Sequence, residues 1–309
     1  MGYLKCIKIT KEYEKASKAL RSVSFKVPSE GIFALIGRNG AGKTTLVRIL
    51  ATQLLPTSGS ANLAGMDVVK DAKDLRGMIA CVPQEARAIG WLTPRQFILS
   101  YLLWRGMDYS EAKRKTEDAT KMLGIDQHLD TANRLLSGGT KRKVLVASVI
   151  ASGAKILFLD EPTTGLDPIS RSDLWRILSK LKRTHFIFLT THYLEEAERL
   201  ADKIGILDEG KLLALGTLEE LRATVKYPYI IKILSDRKML KPREGTVVKG
   251  VDGYYQIATK EKDAYEISKE LIKEGVKFSM NPLSLDDIFY YIVKKPIEEE
   301  RYEDEEKHY

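Results

Sequence analysis

The stretch GIFALIGRNGAGKTTLVRIL, residues 31–50, joins a continuous apolar run, a glycine-rich loop and a segment with helical apolar spacing. Gly37, Gly42, Lys43 and Thr44 within it satisfy the spacing G-x-x-x-x-G-K-[ST]. A strand, a glycine loop and a helix in this order predict a loop whose backbone N–H groups surround phosphates. The predicted ligand-binding residues of this loop are Gly37, Arg38, Asn39, Gly40, Ala41, Gly42, Lys43, Thr44 and Thr45.

Two side chains of the loop have separate predicted tasks. Lys43 is expected to reach the β and γ phosphates, and the Thr44 hydroxyl is expected to supply an oxygen to Mg²⁺. The loop therefore predicts binding of a nucleoside triphosphate together with Mg²⁺.

Two adjacent acids end the second apolar run, ILFLDEP at 156–162. Asp160 is placed where a strand delivers a carboxylate to the Mg²⁺ site. Adjacent side chains within a strand point to opposite faces, so Glu161 needs the strand to end at Asp160. If it does, Glu161 can turn toward the γ phosphate and orient or deprotonate the attacking water. A salt-bridged surface pair is the alternative interpretation.

A second candidate for binding phosphate lies in LLSGGTKRKVLVASVI, residues 135–150. Ser137 can cap a helix there, and Gly138 and Gly139 let an anion approach its free N–H groups. The sequence thus predicts two phosphate-binding helix starts in one chain.

The order of these motifs resembles the ATP-binding subunit of an ABC transporter, over roughly Tyr3 to Arg222. The resemblance rests on GRNGAGKTT, LLSGGTKRK, ILFLDEP, TTGLDP and THYLEEAERLAD. In that family two subunits face each other head to tail. The resemblance implies that Ser137, Gly138 and Gly139 of one subunit bind the ATP held by the P-loop of the other.

The resemblance also assigns residues outside the two loops. It implies that Gln84 links Mg²⁺ to a helical insertion and that His192 contacts the γ phosphate. It also implies that Asp167 lies at the dimer interface and takes part in binding the nucleotide. Tyr13 is expected to stack on adenine, although Tyr3 and Phe25 lie in the same region. The predicted catalytic residues are Lys43, Gln84, Glu161 and His192, and the predicted metal ligands are Thr44, Gln84 and Asp160.

Two positions depart from the family pattern. Thr140 stands where many members have glutamine, and Ser148 stands where an arginine is frequent. Neither belongs to the phosphate-binding motif itself, so these departures bear on the rate of hydrolysis.

The predicted fold is α/β, a P-loop NTPase of ABC type with a mostly parallel core sheet, an antiparallel β subdomain and an inserted helical subdomain. A small C-terminal α+β domain follows. The predicted bounds are 1–225 for the ATPase domain, about 87–150 for the helical insertion, 226–295 for the accessory domain and 296–309 for an acidic, disordered tail.

Composition narrows the cellular setting. The 309 residues carry a net charge of +8, and the last twelve, EEERYEDEEKHY, contribute seven acids against two basic residues. No apolar run reaches the length of a membrane span and no signal peptide is evident, so a cytoplasmic location is expected. Cys6 and Cys81 are isolated in the sequence and predict reduced thiols.

The predicted function is an ATPase that powers substrate export through a separate transmembrane permease. The expected partners are that permease and a second copy of the chain or a paralogous ATPase subunit, on the cytoplasmic face of the membrane, with no nucleic acid. The insertion is expected to contact the permease and to leave at least one of its aromatic side chains exposed. The alternatives are a soluble ABC-type ATPase acting on nucleic acid or ribosomes, and a small-molecule kinase that uses the P-loop alone.

Overall fold

The computed structural model describes residues 2–13, 18–234, 247–251 and 254–293. The predicted acidic tail, 296–309, lies outside the described residues. The chain divides into two units, Met1–Leu215 and Gly216–Tyr309. The sequence places its domain boundary later, after residue 225, and that boundary stays a prediction.

The core of the first unit is a six-stranded sheet in the described part of the chain, with the order β10-β9-β3-β8-β7-β6. Its strands are β3 (Ile32–Ile36), β6 (Ile79–Val82), β7 (Ile156–Asp160), β8 (Phe186–Thr191), β9 (Lys203–Asp208) and β10 (Lys211–Gly216). The pairs of β3 with β8 and β9, and of β7 with β6 and β8, are parallel. Every residue of β3, β7 and β8 is buried, as expected for apolar strands covered on both faces.

A second, antiparallel sheet in this unit has the order β2-β1-β4-β5. It comprises β1 (Tyr3–Glu12), β2 (Lys18–Pro28), β4 (Ser58–Leu63) and β5 (Met66–Asp67). Inward side chains such as Leu4, Val27 and Leu63 join one hydrophobic cluster with Phe33 and Phe188 of the core sheet. The two sheets therefore share a core, and the predicted α/β class with an antiparallel β subdomain is confirmed.

Eight α-helices lie between residues 43 and 223 in the part of the chain that the structure describes. They are α1 (Lys43–Leu50), α2 (Ala72–Met78), α3 (Pro94–Trp104), α4 (Tyr109–Met122), α5 (Gly138–Ala151), α6 (Pro168–Leu181), α7 (Leu194–Leu200) and α8 (Leu218–Ala223). The apolar residues after the glycine loop continue at helical spacing to Leu54, just before Pro56, which predicts a longer α1. That prediction is wrong, because the helix ends at Leu50. Thr52 adopts a φ of 60°, and the N–H groups of Gln53 and Leu54 donate to the Arg48 carbonyl, which closes the helix early.

Helices α3, α4 and α5 occupy the chain between β6 and β7 and pack against one another. Thr93 forms a capping box with Gln96 at the start of α3, and Asp108 caps α4. Trp91 and Trp104 are 77% and 85% exposed, which confirms the expectation that aromatic side chains of this region remain uncovered.

The second unit contains an antiparallel sheet in the order β12-β13-β11-β14. Its strands are β11 (Tyr229–Leu234), β12 (Val247–Val251), β13 (Tyr254–Thr259) and β14 (Phe278–Pro282). Helix α9 (Glu261–Lys273) covers this sheet through Ala264, Ile267 and Leu271, and a further helical segment spans 285–293. The predicted α+β character of this part is confirmed.

Among the helices of the described residues, none combines the length and apolar character that crossing a bilayer requires. Cys6 and Cys81 are both free thiols. Burial raises the pKa of each thiol, that of Cys81 to about 12, so both stay protonated near neutral pH.

Candidate functional site

The glycine loop between β3 and α1 is shaped by contacts that leave no room for a side chain. A Cβ on Gly37 would lie 2.2 Å from the Leu207 carbonyl oxygen, and one on Gly42 would lie 2.4 Å from the Ala19 carbonyl oxygen. Gly42 also has a φ of +104° at the N-cap of α1. The backbone therefore turns tightly at the start of a helix, where free N–H groups can receive phosphate oxygens.

Lys43 is buried within this loop. Its Nζ donates to the carbonyl oxygens of Gly37 at 2.8 Å and Arg38 at 3.1 Å, and lies 3.6 Å from Glu161 Oε1. Burial lowers the pKa of the ammonium, and the nearby carboxylates of Glu161 and Asp160 oppose that shift. The loop thus holds a cation beside the acids that end β7.

The strand ends between the two acids, Asp160 and Glu161, as the role predicted for Glu161 requires. β7 ends at Asp160, and Glu161 adopts a φ of +49°, in the left-handed region that non-glycine residues rarely occupy. The Glu161 N–H donates to the carbonyl and to the hydroxyl of Thr190, at 3.0 and 3.1 Å. This turn takes the Glu161 side chain out of the strand alternation.

The Glu161 carboxylate collects side chains from distant parts of the chain. Its Oε2 accepts from Gln84 Nε2 at 2.9 Å and from Thr164 Oγ1 at 3.2 Å, and lies 3.0 Å from His192 Nδ1. With Lys43, these contacts bring the other three predicted catalytic residues to the buried Glu161 carboxylate. Their roles in catalysis stay predictions.

Asp160 faces a different neighbour. It is 1% exposed, and the Thr190 hydroxyl donates to its Oδ1. The described residues hold no cluster of three His, Cys, Asp or Glu side chains that could bind a metal by itself. Mg²⁺ generally takes one or two protein oxygens and completes its shell with phosphates and waters. Thr44, in the first turn of α1, and Asp160 offer such oxygens near the loop.

Tyr13 is the aromatic residue that the structure places beside the loop. Its hydroxyl lies 3.4 Å from Thr45 Oγ1, and the residue is 42% exposed. Phe25 instead packs inside the core against Phe33, and Lys26 covers the ring of Tyr3. Tyr13 is therefore the best placed of the three to stack on a base.

The second predicted phosphate-binding motif lies in another part of the unit. Ser137 and Gly138 are exposed at the N-terminus of α5, and Ser137 Oγ accepts from the Thr140 N–H at 3.1 Å. Helix α5 packs mainly against α3, α4 and β6, whereas α1 packs against β2, β7 and β8. Within one chain, the two predicted phosphate sites are therefore carried by helices that pack against different elements.

The remaining predicted residues have local partners. Asp167 caps α6 by accepting from the N–H groups of Ile169 and Ser170, and bonding to Ser170 lowers its pKa. Thr140 Oγ1 lies 2.9 Å from Ser137 Oγ, and the buried Ser148 hydroxyl donates to the Leu145 carbonyl. Neither departure from the family pattern leaves its hydroxyl unpaired, and the binding role of Asp167 stays a prediction.

Three residues that support the acids are absent from the sequence-based predictions. Thr164 and Thr190 bond to Glu161, and Arg142 is buried against the backbone beneath it. The sequence holds a weak signal for Arg142, because it shares helical spacing with the apolar residues Val146 and Val149. A cation on a buried helical stripe indicates a specific partner.

Comparisons with known proteins agree with this geometry. Residues 20–164 match the family model described as ABC transporter. The chain carries an ABC transporter ATPase domain. The domain binds and hydrolyses ATP, and the matched segment contains Lys43, Gln84 and Glu161.

Relatives of this ABC ATPase domain occur in proteins of several lengths. ABC transporter A family member 3 of Arabidopsis thaliana is 32% identical over 286 residues, which are 89% of this chain and 30% of that protein. The daunorubicin/doxorubicin resistance ATP-binding protein DrrA of Streptomyces peucetius is 34% identical over 210 residues, 68% of this chain and 64% of DrrA. The chain thus spans less than two thirds of either relative.

The fold also matches a solved ABC structure. CbiO1 from Clostridium perfringens, part of the ABC transporter complex CbiONQ, superposes with a TM-score of 0.63 at 26% identity, covering 72% of this chain and 92% of CbiO1. The predicted fold class is therefore confirmed as a P-loop NTPase of ABC type. These comparisons do not favour the soluble nucleic-acid or ribosome alternative.

Proposed function

We propose that two copies of this chain, or one copy and a paralogous ATPase subunit, close head to tail around two ATP molecules. ATP binding and hydrolysis in this dimer drive substrate export through a separate transmembrane permease. The domain works on the cytoplasmic face of the membrane, held there by the permease.

The observation that carries this proposal is the division of the site. The P-loop, Lys43 and Glu161 form one half of the proposed ATP site. Ser137 and Gly138 are exposed at the start of α5, which packs against other elements than α1 does. A helix start with free N–H groups and a bare glycine suits a phosphate brought by a second molecule. A head-to-tail dimer supplies that phosphate to each helix.

The chemistry follows from the residues around Glu161. Backbone N–H groups of residues 37–45 and Lys43 hold the phosphates, and Tyr13 stacks on the base. Thr44, Asp160 and Gln84 would hold Mg²⁺, which would supply positive charge beside the phosphate oxygens. Glu161 orients the attacking water and accepts its proton, while His192 contacts the γ phosphate.

A cleft between the core sheet and the helical insertion is the proposed docking surface for the permease. It measures about 680 Å³ and is lined by residues that include Thr52, Arg76, Cys81, Tyr101, Trp104 and Met107. Trp104 at its margin is 85% exposed. An exposed aromatic side chain beside an open cleft suits a short helix of a partner protein.

Exchange between two inactive variants tests the shared site. Lys43→Ala removes the cation that would bind phosphate. Ser137→Glu places a negative charge against the γ phosphate of the ATP that the partner's P-loop holds. Each variant alone should be inactive. A dimer of the two retains one intact P-loop facing one intact Ser137, so an equal mixture should recover about a quarter of the wild-type ATPase rate.

Two affinity tags, one on each variant, establish that mixed dimers form. ATP binding to the Ser137→Glu variant, measured by equilibrium dialysis, should remain because its own P-loop is unchanged. Mixed dimers that form but stay inactive would contradict the head-to-tail arrangement.

A further inference from the structure

Arg142 in α5 makes a set of contacts that the proposed chemistry does not use. The residue is 8% exposed, and its guanidinium donates to five carbonyl oxygens. Nη2 donates to Asp160 at 2.8 Å and Glu161 at 2.9 Å, and Nε donates to Pro162 at 3.1 Å. Nη1 donates to Pro83 at 3.3 Å and Gln84 at 3.4 Å.

These carbonyls belong to the two backbone segments that carry Glu161 and Gln84. The side chains of those residues meet at 2.9 Å, although they lie far apart in sequence. One planar guanidinium therefore sets the separation of both backbones. By bonding to both backbone segments, the guanidinium holds the Glu161 carboxylate and the Gln84 amide in contact.

Glu161 needs such support because of its backbone conformation. A φ of +49° is costly for a residue with a side chain and persists only when neighbours hold it. Thr190 holds the Glu161 N–H, and Arg142 holds the Glu161 carbonyl. The peptide groups on both sides of the strained residue are thereby bonded.

The positive charge of Arg142 is balanced by carboxylates nearby. Burial lowers the pKa of the guanidinium, and the carboxylates of Asp160 and Glu161 oppose that shift. A buried cation with five hydrogen bonds is well satisfied, and a lysine there has only three donors on a single nitrogen. Replacement by lysine keeps the charge and loses the fork that spans the two segments.

We propose that Arg142 is a positioning residue for ATP hydrolysis, which holds the backbones of Glu161 and Gln84 so that the Glu161 carboxylate faces the γ phosphate bound in the same chain. This inference rests on the proposed function. It assigns to Arg142 an effect on the P-loop of its own chain, although α5 begins at the motif that serves the partner's ATP.

Arg142→Lys gives the first measurement. We expect kcat to fall about tenfold or more, because a displaced carboxylate loses alignment with the attacking water. The Kd for ATP, from equilibrium dialysis, should stay within about threefold, since the P-loop is untouched. Arg176→Lys, the same change at an exposed arginine of α6, is the matched control and should leave both values unchanged. Arg142→Gln, which keeps neutral donors, is a second variant with the same expected loss.

The decisive comparison uses the mixed dimers described above. Arg142→Lys is placed either in the Ser137→Glu chain, which supplies the working P-loop and Glu161, or in the Lys43→Ala chain, which supplies only Ser137. Both dimers contain one Arg142→Lys chain, so a general loss of stability lowers their activity equally. We expect the large loss only when the substitution is in the chain that supplies Glu161.

Each other outcome overturns the proposal. Equal losses in the two dimers, or an unchanged kcat, would show that Arg142 does not position Glu161. Arg142→Lys and Arg142→Gln chains that fail to fold would assign the guanidinium to the fold alone. Inactive mixed dimers with Arg142 intact would instead contradict the head-to-tail site, which separates failure of the proposed function from failure of this inference.

Discussion

The phosphate loop can adopt its observed conformation because Gly37 has no Cβ atom. The position after β3 is buried, and its Cα faces the Leu207 carbonyl at the end of β9. A methyl group there must displace backbone of the core sheet, which is less adaptable than a side chain. The loop and the sheet are therefore tied together at a single glycine.

We expect Gly37→Ala to lower the free energy of unfolding by about 1–3 kcal/mol, as overpacking does in cores, and to weaken ATP binding. Gly77→Ala is the control, because Gly77 is exposed in α2 and an added Cβ there would meet open space. That change should be neutral or stabilising by up to about 1 kcal/mol. Urea unfolding and equilibrium dialysis with ATP measure both effects. A Gly37→Ala protein as stable as the Gly77→Ala protein would contradict the close approach to Leu207.

At the scale of elements, α3 is capped at its N-terminus and carries an exposed tryptophan at its C-terminus. The capping box at Thr93 and Gln96 pairs free N–H groups of the first turn, and Ile98 and Leu102 bury the inner face. The outer face ends at Trp104, beside the cleft. A capped and well-packed helix therefore presents Trp104 at the proposed docking surface.

Crosslinking tests which element contacts the permease. We expect a cysteine placed at Trp104 to crosslink to the permease in native membranes, because that side chain is exposed beside the cleft. A cysteine at Tyr265 of α9, which is 52% exposed in the second unit, is the matched comparison. Efficient crosslinking from Tyr265→Cys with none from Trp104→Cys would show that the docking surface lies on the other unit.

At the scale of the whole molecule, charge is distributed unevenly along the chain. The net charge is +8 although the last twelve residues carry seven acids, so the preceding chain is strongly basic. Such a surface attracts polyanions without sequence preference at low salt. A basic surface by itself is compatible with an anionic membrane face as well as with nucleic acid, so the salt dependence of nucleic-acid binding separates the two.

Nucleic-acid binding should therefore be weak and lost with salt. We expect binding to duplex DNA or RNA, followed by fluorescence anisotropy, to be undetectable at micromolar protein above about 0.15 M salt. Deleting residues 296–309 should raise the low-salt affinity, because it removes negative charge. Submicromolar binding that survives this salt concentration would instead support the soluble nucleic-acid alternative.

The sequence by itself determined the parts of this protein that depend on local rules. Spacing fixed the phosphate loop, apolar runs fixed β3, β7 and β8, and the order of motifs indicated an ABC ATPase domain. These signals are readable because each arises within one strand, turn or helix.

Only the tertiary structure decided which distant residues meet. The approach of Gln84 to Glu161, the left-handed turn at Glu161 and the early end of α1 each follow from backbone contacts that no short window contains. Arg142 is the clearest case, since it appears in sequence as one of several basic residues near the start of α5. Its five carbonyl partners come from two other segments, and packing of α5 against the core brings them within hydrogen-bonding distance. Long-range packing selects such partners among many locally equivalent ones, which is why the sequence pattern alone did not reveal them.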